Sequence, residues 1–415
     1  MIKTTNKSKT YNIQYNMKQK VVLAFSGGLD TSFCVPYLKN EKGLEVHTVM
    51  VNTGGFTEEE AKRIEERALN LGAASHTTID AVETYYNKGI KYLIFGNILK
   101  NATYPLSVSS ERVFQALEVL KLVKKLGADY VAHGSTGAGN DQVRFDLVFE
   151  VLAPEVEILA PIRELALSRK EEIDYLVKHG FNFSWEKSKY SINQGIWGTS
   201  IGGVETLSSD GYLPEEAYIH HVEKTGEEKI SIEFEKGEPV ALNGKKMSPV
   251  QLINELADIA NQYGVGRDIH IGDTIIGIKG RVGFEAAAPL IIVKAHHLLE
   301  KHVLTKNQLN WKDQIGNFYG QLMHEAQYLE PIMRDMEAFM DSTQESVCGT
   351  VDVLLRPYNF FVLGCKSKYD MMSSKFGEYG EINKSYTGRD VVGFTKVLAN
   401  PLKIYYSLHS DKDVE

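Results

Sequence analysis

The 415-residue chain has only three cysteines, Cys34, Cys348 and Cys365, and no two of them stand at CxxC spacing. That scarcity excludes a disulfide framework and a cysteine-built zinc site, and it suits a reducing, cytoplasmic setting. Long hydrophobic runs are missing too: no stretch approaches the roughly 18 apolar residues that a membrane helix needs. Positive charge is in short supply, with 46 Lys and Arg against 54 Asp and Glu and a net charge of −8. A surface made for nucleic acid or anionic lipid is therefore not expected. Residues 1–19 carry Lys3, Lys7, Lys9 and Lys18 but no acid, no arginine and no apolar segment. They read as a disordered extension rather than a targeting signal.

From Lys20 to about residue 182, strand-like runs alternate with capped helices. "VVLAF" and "LEVHTVMVN" read as strands, and Thr57 to Glu60 and Ser168 to Glu171 are capping boxes that open helices. A further helix carries Val113, Leu117, Leu120 and Val123, stops at Gly127 and feeds the strand "ADYVAHG". Such alternation predicts a parallel sheet with helices on both faces, whose ligands sit at the carboxyl ends of the strands. After residue 183 the pattern changes. "SWEKSKYSINQGIWGTSIGG" reads as a long irregular piece, "KISIEFEKGEPVAL" as a hairpin turning near Gly237, "DTIIGIKG" as a strand, 305–342 as one long helical region, and "VDVLLRPYNFFVLG" as a hairpin. The run "FTKVLANPLKIYYSLH" ends the chain with a helix. The predicted divisions are an extension over 1–19, an α/β nucleotide-binding domain over 20–182, an α+β domain over 183–377 and a terminal arm over 378–415.

The chemistry starts at "AFSGGLDTS", Ala24 to Ser32. Two glycines directly after a strand let the backbone present several N–H groups to an anion, and the hydroxyls of Ser26, Thr31 and Ser32 add donors at a helix start. The loop lacks the GK[ST] ending of a Walker motif, whose lysine reaches the β- and γ-phosphates, and it lacks GxGxxG spacing. A cradle without lysine suits an enzyme that keeps pyrophosphate as leaving group while the α-phosphate is attacked. A second cluster, "HGSTGAGNDQVRF", His133 to Phe145, follows a strand and packs Thr136, Asn140, Asp141 and Arg144 together. Alone, Asp141 and Arg144 are equally well read as a pair on a turn. The histidines His296, His297 and His302 lie in an apolar-periodic stretch and read as packing or surface residues, not ligands.

"SGGLDTS" resembles the pyrophosphate loop of the N-type ATP pyrophosphatases, of the HUP, or adenine nucleotide alpha hydrolase-like, fold. Taken with "HGSTGAGNDQVRF", it is similar to the argininosuccinate synthases. The resemblance extends through "TYPLSVSSERV", "APIREL", "YSINQGIWGTS" and "YGVGRDIHIGDTIIGIKGR". It implies ATP-dependent joining of citrulline and L-aspartate through a citrullyl-adenylate, with Mg2+ on the phosphates, a synthetase domain after the nucleotide-binding one, and a homotetramer held by the C-terminal helix. It implies that Ala24, Ser26, Gly27, Gly28, Asp30, Thr31, Ser32, Thr48 and Gly134 hold ATP, with Thr48 at the end of the second strand. Thr136, Asn140 and Asp141 would contact aspartate. Tyr104, Ser109, Asn140, Arg144, Ser191, Ser200 and the residue at Phe284 would contact citrulline. Arg112 would clamp a substrate carboxylate, and Asp141, Arg144 and Ser191 would be catalytic. No protein metal ligands are implied.

Several positions depart from the family pattern. A usual cation is Ala138, "GTS" becomes Ser107-Val108-Ser109, "YEGG" becomes Ile201-Gly202-Gly203, a glutamate that contacts citrulline falls at Gly272, and a tyrosine falls at Phe284. Two readings stay open here: re-routed contacts to citrulline, or a substrate whose α-nitrogen is acylated, such as N-acetyl- or N-succinyl-citrulline. A tRNA-modifying pyrophosphate-loop enzyme would call for thiolation cysteines and a basic face. A non-catalytic nucleotide binder would not need the second cluster.

Overall fold

The computed structural model describes residues 18–183, 189–372, 379–380 and 385–409. The N-terminal extension expected over 1–19 thus lies almost wholly outside the described residues. Strands β1 (Lys20–Ala24), β2 (Glu45–Asn52), β3 (Ser75–Asp80), β4 (Tyr130–Ala132) and β5 (Glu157–Leu159) form a parallel sheet in the order β3-β2-β1-β4-β5. The order changes direction at β1, which places the carboxyl end of β1 and the loop after it beside a crevice. Side chains alternate between faces. Val22, Val49 and Val131 enter one core and Val21, Leu23 and Ala132 the other. Helices α1 (Leu29–Asn40), α2 (Glu58–Asn70), α3 (Ser107–Leu126), α4 (Asp141–Leu152) and α5 (Arg169–Lys178) cover the sheet. Both expected capping boxes form, and Gly127 closes α3 at φ +56°.

The second half holds two antiparallel sheets. Strands β6 (Ser191–Gly195) and β7 (Gly198–Gly202) form a tight hairpin where an irregular segment was expected, and residues 184–188 of that segment lie outside the described residues. Small residues with few apolar positions hid this hairpin from its pattern. Strands β8 (Glu228–Glu235), β9 (Glu238–Leu242) and β10 (Lys245–Lys246) follow. Their turn has Lys236 and Gly237 both at positive φ, the requirement of a two-residue hairpin loop. Helix α6 (Pro249–Asn261) starts at the Ser248 capping box with proline in its first turn.

"DTIIGIKG" is not one strand. It is the turn between β11 (Arg267–Asp273) and β12 (Lys279–Glu285), held by Thr274. After α7 (Ala287–Val303), the helical region expected over 305–342 is made of two helices, α8 (Lys306–His324) and α9 (Pro331–Gln344). Ala326 in the left-handed region and Pro331 separate them. Strands β13 (Gly349–Arg356) and β14 (Asn359–Lys366) complete the sheet β10-β9-β8-β13-β14, while the third sheet runs β11-β12-β7-β6. One continuous core joins Val22 and Phe114 of the first half to Phe234, Ile291, Tyr319 and Met340 of the second. Helix α10 (Gly388–Leu408) ends the described chain and buries no residue.

Candidate active site

Each half of the crevice is made by a loop on a strand end. After β1, Gly27 adopts φ +75°, and a Cβ there would stand 3.0 Å from the Ile64 side chain. Its carbonyl accepts from Arg67 on α2. The Gly28 N–H donates to Ser26 Oγ at 3.4 Å, and Ser26 Oγ lies 3.3 Å from Thr31 Oγ1. Helix α1 begins at Leu29, so its first N–H groups and its dipole face the loop. Ser32 Oγ is fully buried and has no hydrogen-bond partner among the described residues, a donor left for something the loop would hold.

Two expected nucleotide contacts are placed differently. Asp30 turns to Glu172 of α5 and shares a hydrogen bond with it. Burial raises the pKa of both carboxyls; the hydrogen bond from Glu172 pulls Asp30 back down, while the Asp30 charge pushes Glu172 further up, so the proton of the pair resides on Glu172 behind the loop. Thr48 is not at a strand end. It is the fourth of eight residues in β2, fully buried, paired in register with Leu23 and His76, and its hydroxyl bonds His76 Nδ1 at 2.8 Å. The strand runs four residues further because "VMVN" continues the apolar pattern, so Val51, Asn52 and Thr53 occupy the end where Thr48 was expected. Ala24 does end β1, beside Val49.

The second cluster closes directly over the first. A Cβ at Gly134 would come within 2.9 Å of Thr31 Cγ2 and 3.2 Å of the Thr31 nitrogen, so only glycine permits this approach. Seven residues later α4 begins with Asp141, whose Oδ1 accepts from Arg144 Nη1 at 2.8 Å and whose Oδ2 accepts from Arg112 Nε at 3.0 Å. Burial alone would raise this carboxyl, but the two guanidinium groups outweigh it and hold the pKa near about 2. Arg112 is not an open clamp. It also donates to Glu111 Oε1, Gln115 Oε1 and Asn193 Oδ1, so most of its donors are engaged inside the protein and it acts as a strut for Asp141. Glu111 is buried, which drives its pKa up to about 7 against the opposing pull of Arg112 and of the Thr53 hydroxyl.

A cleft of about 230 Å3 lies beside this pair. Tyr104, Ser109, Asn140, Arg144 and Ser200 line it, as expected of substrate contacts. Tyr104 is its hub: its hydroxyl lies 3.2 Å from Ser200 Oγ and accepts from Ser107 Oγ at 3.0 Å, and its ring stacks on His270 at 5.2 Å. Asn140 Oδ1 accepts from the Ile275 N–H at 2.9 Å and so ties the β11–β12 turn to the second cluster. Phe284 is fully buried under Tyr104, with ring centroids 5.5 Å apart, and supports the floor instead of meeting a ligand. Ser191 is exposed at the start of β6 and does not line the cleft. Asn193, two residues on and on the same strand face, does. Thr136 is exposed on the loop that borders the site.

Sequence reasoning missed Asn193, Glu111, His270, Arg281 and His324. The one signal for them was glycine. A Cβ at Gly55 would lie 2.0 Å from the Gln194 carbonyl oxygen, and one at Gly195 would lie 2.2 Å from Glu111 Oε2. These contacts pack the loop after β2 and helix α3 against the β6–β7 hairpin.

Comparison with known proteins fits this geometry. Residues 20–182 match the family described as "Arginosuccinate synthase N-terminal HUP domain", and residues 190–405 match "Arginosuccinate synthase C-terminal domain". The chain is 41% identical to the argininosuccinate synthase of Methanocaldococcus jannaschii over 386 residues, covering 92% of this chain and 96% of that protein. It is 37% identical to the enzyme of Pyrococcus furiosus over 404 residues, 95% and 97% of the two chains, and 36% identical to that of Xanthomonas campestris over 397 residues, 93% and 98%. With a phosphate cradle, an Asp141–Arg144 cleft closed onto it and matched domains along most of its length, the chain belongs to the argininosuccinate synthase family.

Proposed function

We propose that the chain joins citrulline to L-aspartate with ATP, releasing argininosuccinate, AMP and pyrophosphate, as arginine biosynthesis requires. The observation that carries this reading is the contact of Gly134 with Thr31, which makes the anion cradle and the Asp141–Arg144 cleft one continuous site. The ureido oxygen of citrulline attacks the α-phosphorus, the bond to the bridging oxygen breaks, and pyrophosphate leaves. The N–H groups of the loop and the hydroxyls of Ser26, Thr31 and Ser32 hold it, and no lysine is needed because no γ-phosphoryl group moves. The amine of aspartate then attacks the activated carbon, the C–O bond to AMP breaks, and the nitrogen gives up its proton.

With a pKa near about 2, Asp141 is a poor proton acceptor, so its role is to orient the amine while Arg144 fixes the ureido end. Thr136 and Asn140 contact aspartate, and Tyr104, Ser109 and Ser200 contact citrulline. A magnesium ion brought with ATP would neutralise charge on the phosphates, held beside the hydroxyls of Ser26, Thr31 and Ser32. The free cysteines fit a cytoplasmic enzyme.

The exposed apolar residues Phe394, Val397, Leu398, Leu402 and Tyr405 of α10 favour a homotetramer in which that helix packs on neighbouring copies. Residues 20–182 would then act as the nucleotide-binding domain, 183–377 as the synthetase domain and 378–415 as the assembly arm. Incubation with citrulline, aspartate and ATP should yield argininosuccinate, AMP and pyrophosphate in equal amounts by mass spectrometry. Release of ADP and phosphate, or no product, would contradict the proposal.

A further inference from the structure

Glu111 is a buried acid to which the reaction as described gives no part. It stands on α3 beside Arg112, is 2% exposed and has both oxygens engaged: Oε1 accepts from Arg112 Nη1 at 2.9 Å and Oε2 from the Thr53 hydroxyl at 3.0 Å. Consecutive residues on a helix point about 100° apart and do not ordinarily face each other. Here both side chains turn to one point, where α3 meets the loop after β2, the β6–β7 hairpin and α4. Taking a carboxylate out of water is costly and a buried ion pair adds little net stability, so packing alone does not account for it.

What Glu111 holds is Arg112. The Nε of that guanidinium donates to Asp141 Oδ2 at 3.0 Å, its Nη2 to Asn193 Oδ1 at 2.9 Å, and its Nη1 serves Glu111 and Gln115 together. Among the described residues, the carboxylates within 4 Å of Arg112 are Asp141 on the cleft side and Glu111 behind it. On its other side Asp141 meets Arg144, whose Nε and Nη2 donate to the His324 carbonyl oxygen. Asp141 is thus suspended between two guanidinium groups, one anchored from behind by a carbonyl and the other by Glu111. When all four side chains are ionised, their two negative and two positive charges balance.

The surrounding elements are shaped to this carboxyl. A Cβ at Gly195 would lie 2.2 Å from Glu111 Oε2, so the hairpin makes room by carrying no side chain there. Thr53 ties the same point to the hairpin and to α3: its carbonyl accepts from the Ile196 N–H at 3.0 Å and its hydroxyl from Gln115 Nε2 at 3.3 Å. The titratable and charged groups that face Glu111 are Arg112 on its own helix, Asp141 on α4 and the Tyr85 phenol, which burial keeps protonated; the loop and the hairpin present only the uncharged Thr53 and Gly195. Burial outweighs the pull of Arg112 and brings the carboxyl to about 7, so its charge is gained within the neutral range.

We infer that Glu111 is a positioning residue for the second half of the reaction: it fixes Arg112 so that Asp141 presents the aspartate amine to the activated carbon in the orientation for attack. The inference rests on the ligase reading above, in which Asp141 orients that amine and Arg144 fixes the ureido end. Adenylation of citrulline depends on the cradle and Arg144 and does not pass through Glu111. Its loss therefore falls on the step that consumes aspartate.

The test separates the two halves. Exchange of labelled pyrophosphate into ATP, with citrulline and without aspartate, reads adenylation, and argininosuccinate formation reads the whole reaction. In Glu111→Ala, synthesis should fall about a hundredfold, the cost of a misplaced group near the chemistry, while exchange stays within about threefold of the parent. Glu111→Gln leaves no cavity and keeps an oxygen for Arg112, so it isolates the charge and carries the comparison even where the alanine variant does not fold. Its kcat for synthesis should differ little from the parent's near about pH 6, where the parent carboxyl is mostly protonated, and lag about tenfold near about pH 8. Equal losses of exchange and synthesis, or a parent-to-Gln ratio that is the same at both pH values, would reduce Glu111 to a structural role and overturn the inference while the ligase reading stands. A parent that shows neither activity would overturn both.

Discussion

Asp141 gathers more of the site than any other side chain, and its neighbours define what losing it would do. Replacing it by Asn leaves Arg112 and Arg144 without their shared anion in a largely buried setting. Breaking such a pair costs several kcal/mol when fully buried; with the carboxylate 35% exposed, a loss of about 2 kcal/mol is expected. kcat should fall about a hundredfold, since a misplaced group near the chemistry costs that much. Thermal melting and steady-state kinetics of D141N check both. The pH dependence follows from the same carboxylate. Its folded pKa lies below the ordinary value, so its stabilisation is complete above about pH 4 and is lost as pH falls toward about 2.

Glu172 works the other way. Burial and Asp30 raise its folded pKa, so the stability of the proton-sharing pair is complete below the ordinary carboxylate range and is lost as pH rises through the raised value. Glu172→Gln should therefore leave Tm little changed at roughly pH 4 and raise it relative to the parent at roughly pH 8. A Tm difference that does not vary between the two would remove the shared proton.

Among the elements, the strand-turn-helix units of the first half were legible because each carries its own punctuation. The Thr57 and Ser168 capping boxes and Gly127 mark boundaries within a residue or two of where the helices begin and end. The β6–β7 hairpin carried no such pattern. Apart from Ile192 and Ile201 its strands are Ser, Asn, Gln, Gly and Thr, and they are ordered by what lies against them: Ile196 N–H donates to Thr53 O at 3.0 Å, and Glu111 stands over Gly195. Register in such strands is set by tertiary contact, which a sequence does not display. For the same reason Asp30 and Arg112 were expected to meet ligands, while their protein partners, Glu172 and Asn193 among them, come from elements distant in the chain. Gly195→Ala tests the hairpin. Its new methyl group meets Glu111 in a fixed network, so a loss of about 2 kcal/mol and a clear drop in kcat/KM are expected. Unchanged melting and kinetics would mean that the hairpin yields without cost.

At the scale of the whole molecule, α10 is the feature that a single copy does not explain. It is a 21-residue amphipathic helix with a capping box at Thr387 and no buried residue, exposing Phe394, Val397, Leu398 and Leu402. Apolar surface of this extent on a helix marks an association face. If that face joins copies of the chain, deletion from Gly388 onward should lower the mass measured by light scattering and lower Tm through lost mass action. An unchanged mass would contradict an association role for α10.

The family and its reaction class were legible because two short motifs carry them, and Gly134 against Thr31 is the contact that unites the motifs in space. The far cleft wall was not, because His270 and Arg281 reach the cleft only once the third sheet is assembled. The central claim, that the cradle retains pyrophosphate while an acceptor oxygen takes the adenylyl group, is tested most directly by isotope exchange. With labelled pyrophosphate, ATP and citrulline as acceptor, label should enter ATP without aspartate and only when the acceptor is present. Exchange that needs aspartate, or that runs without any acceptor, would contradict it.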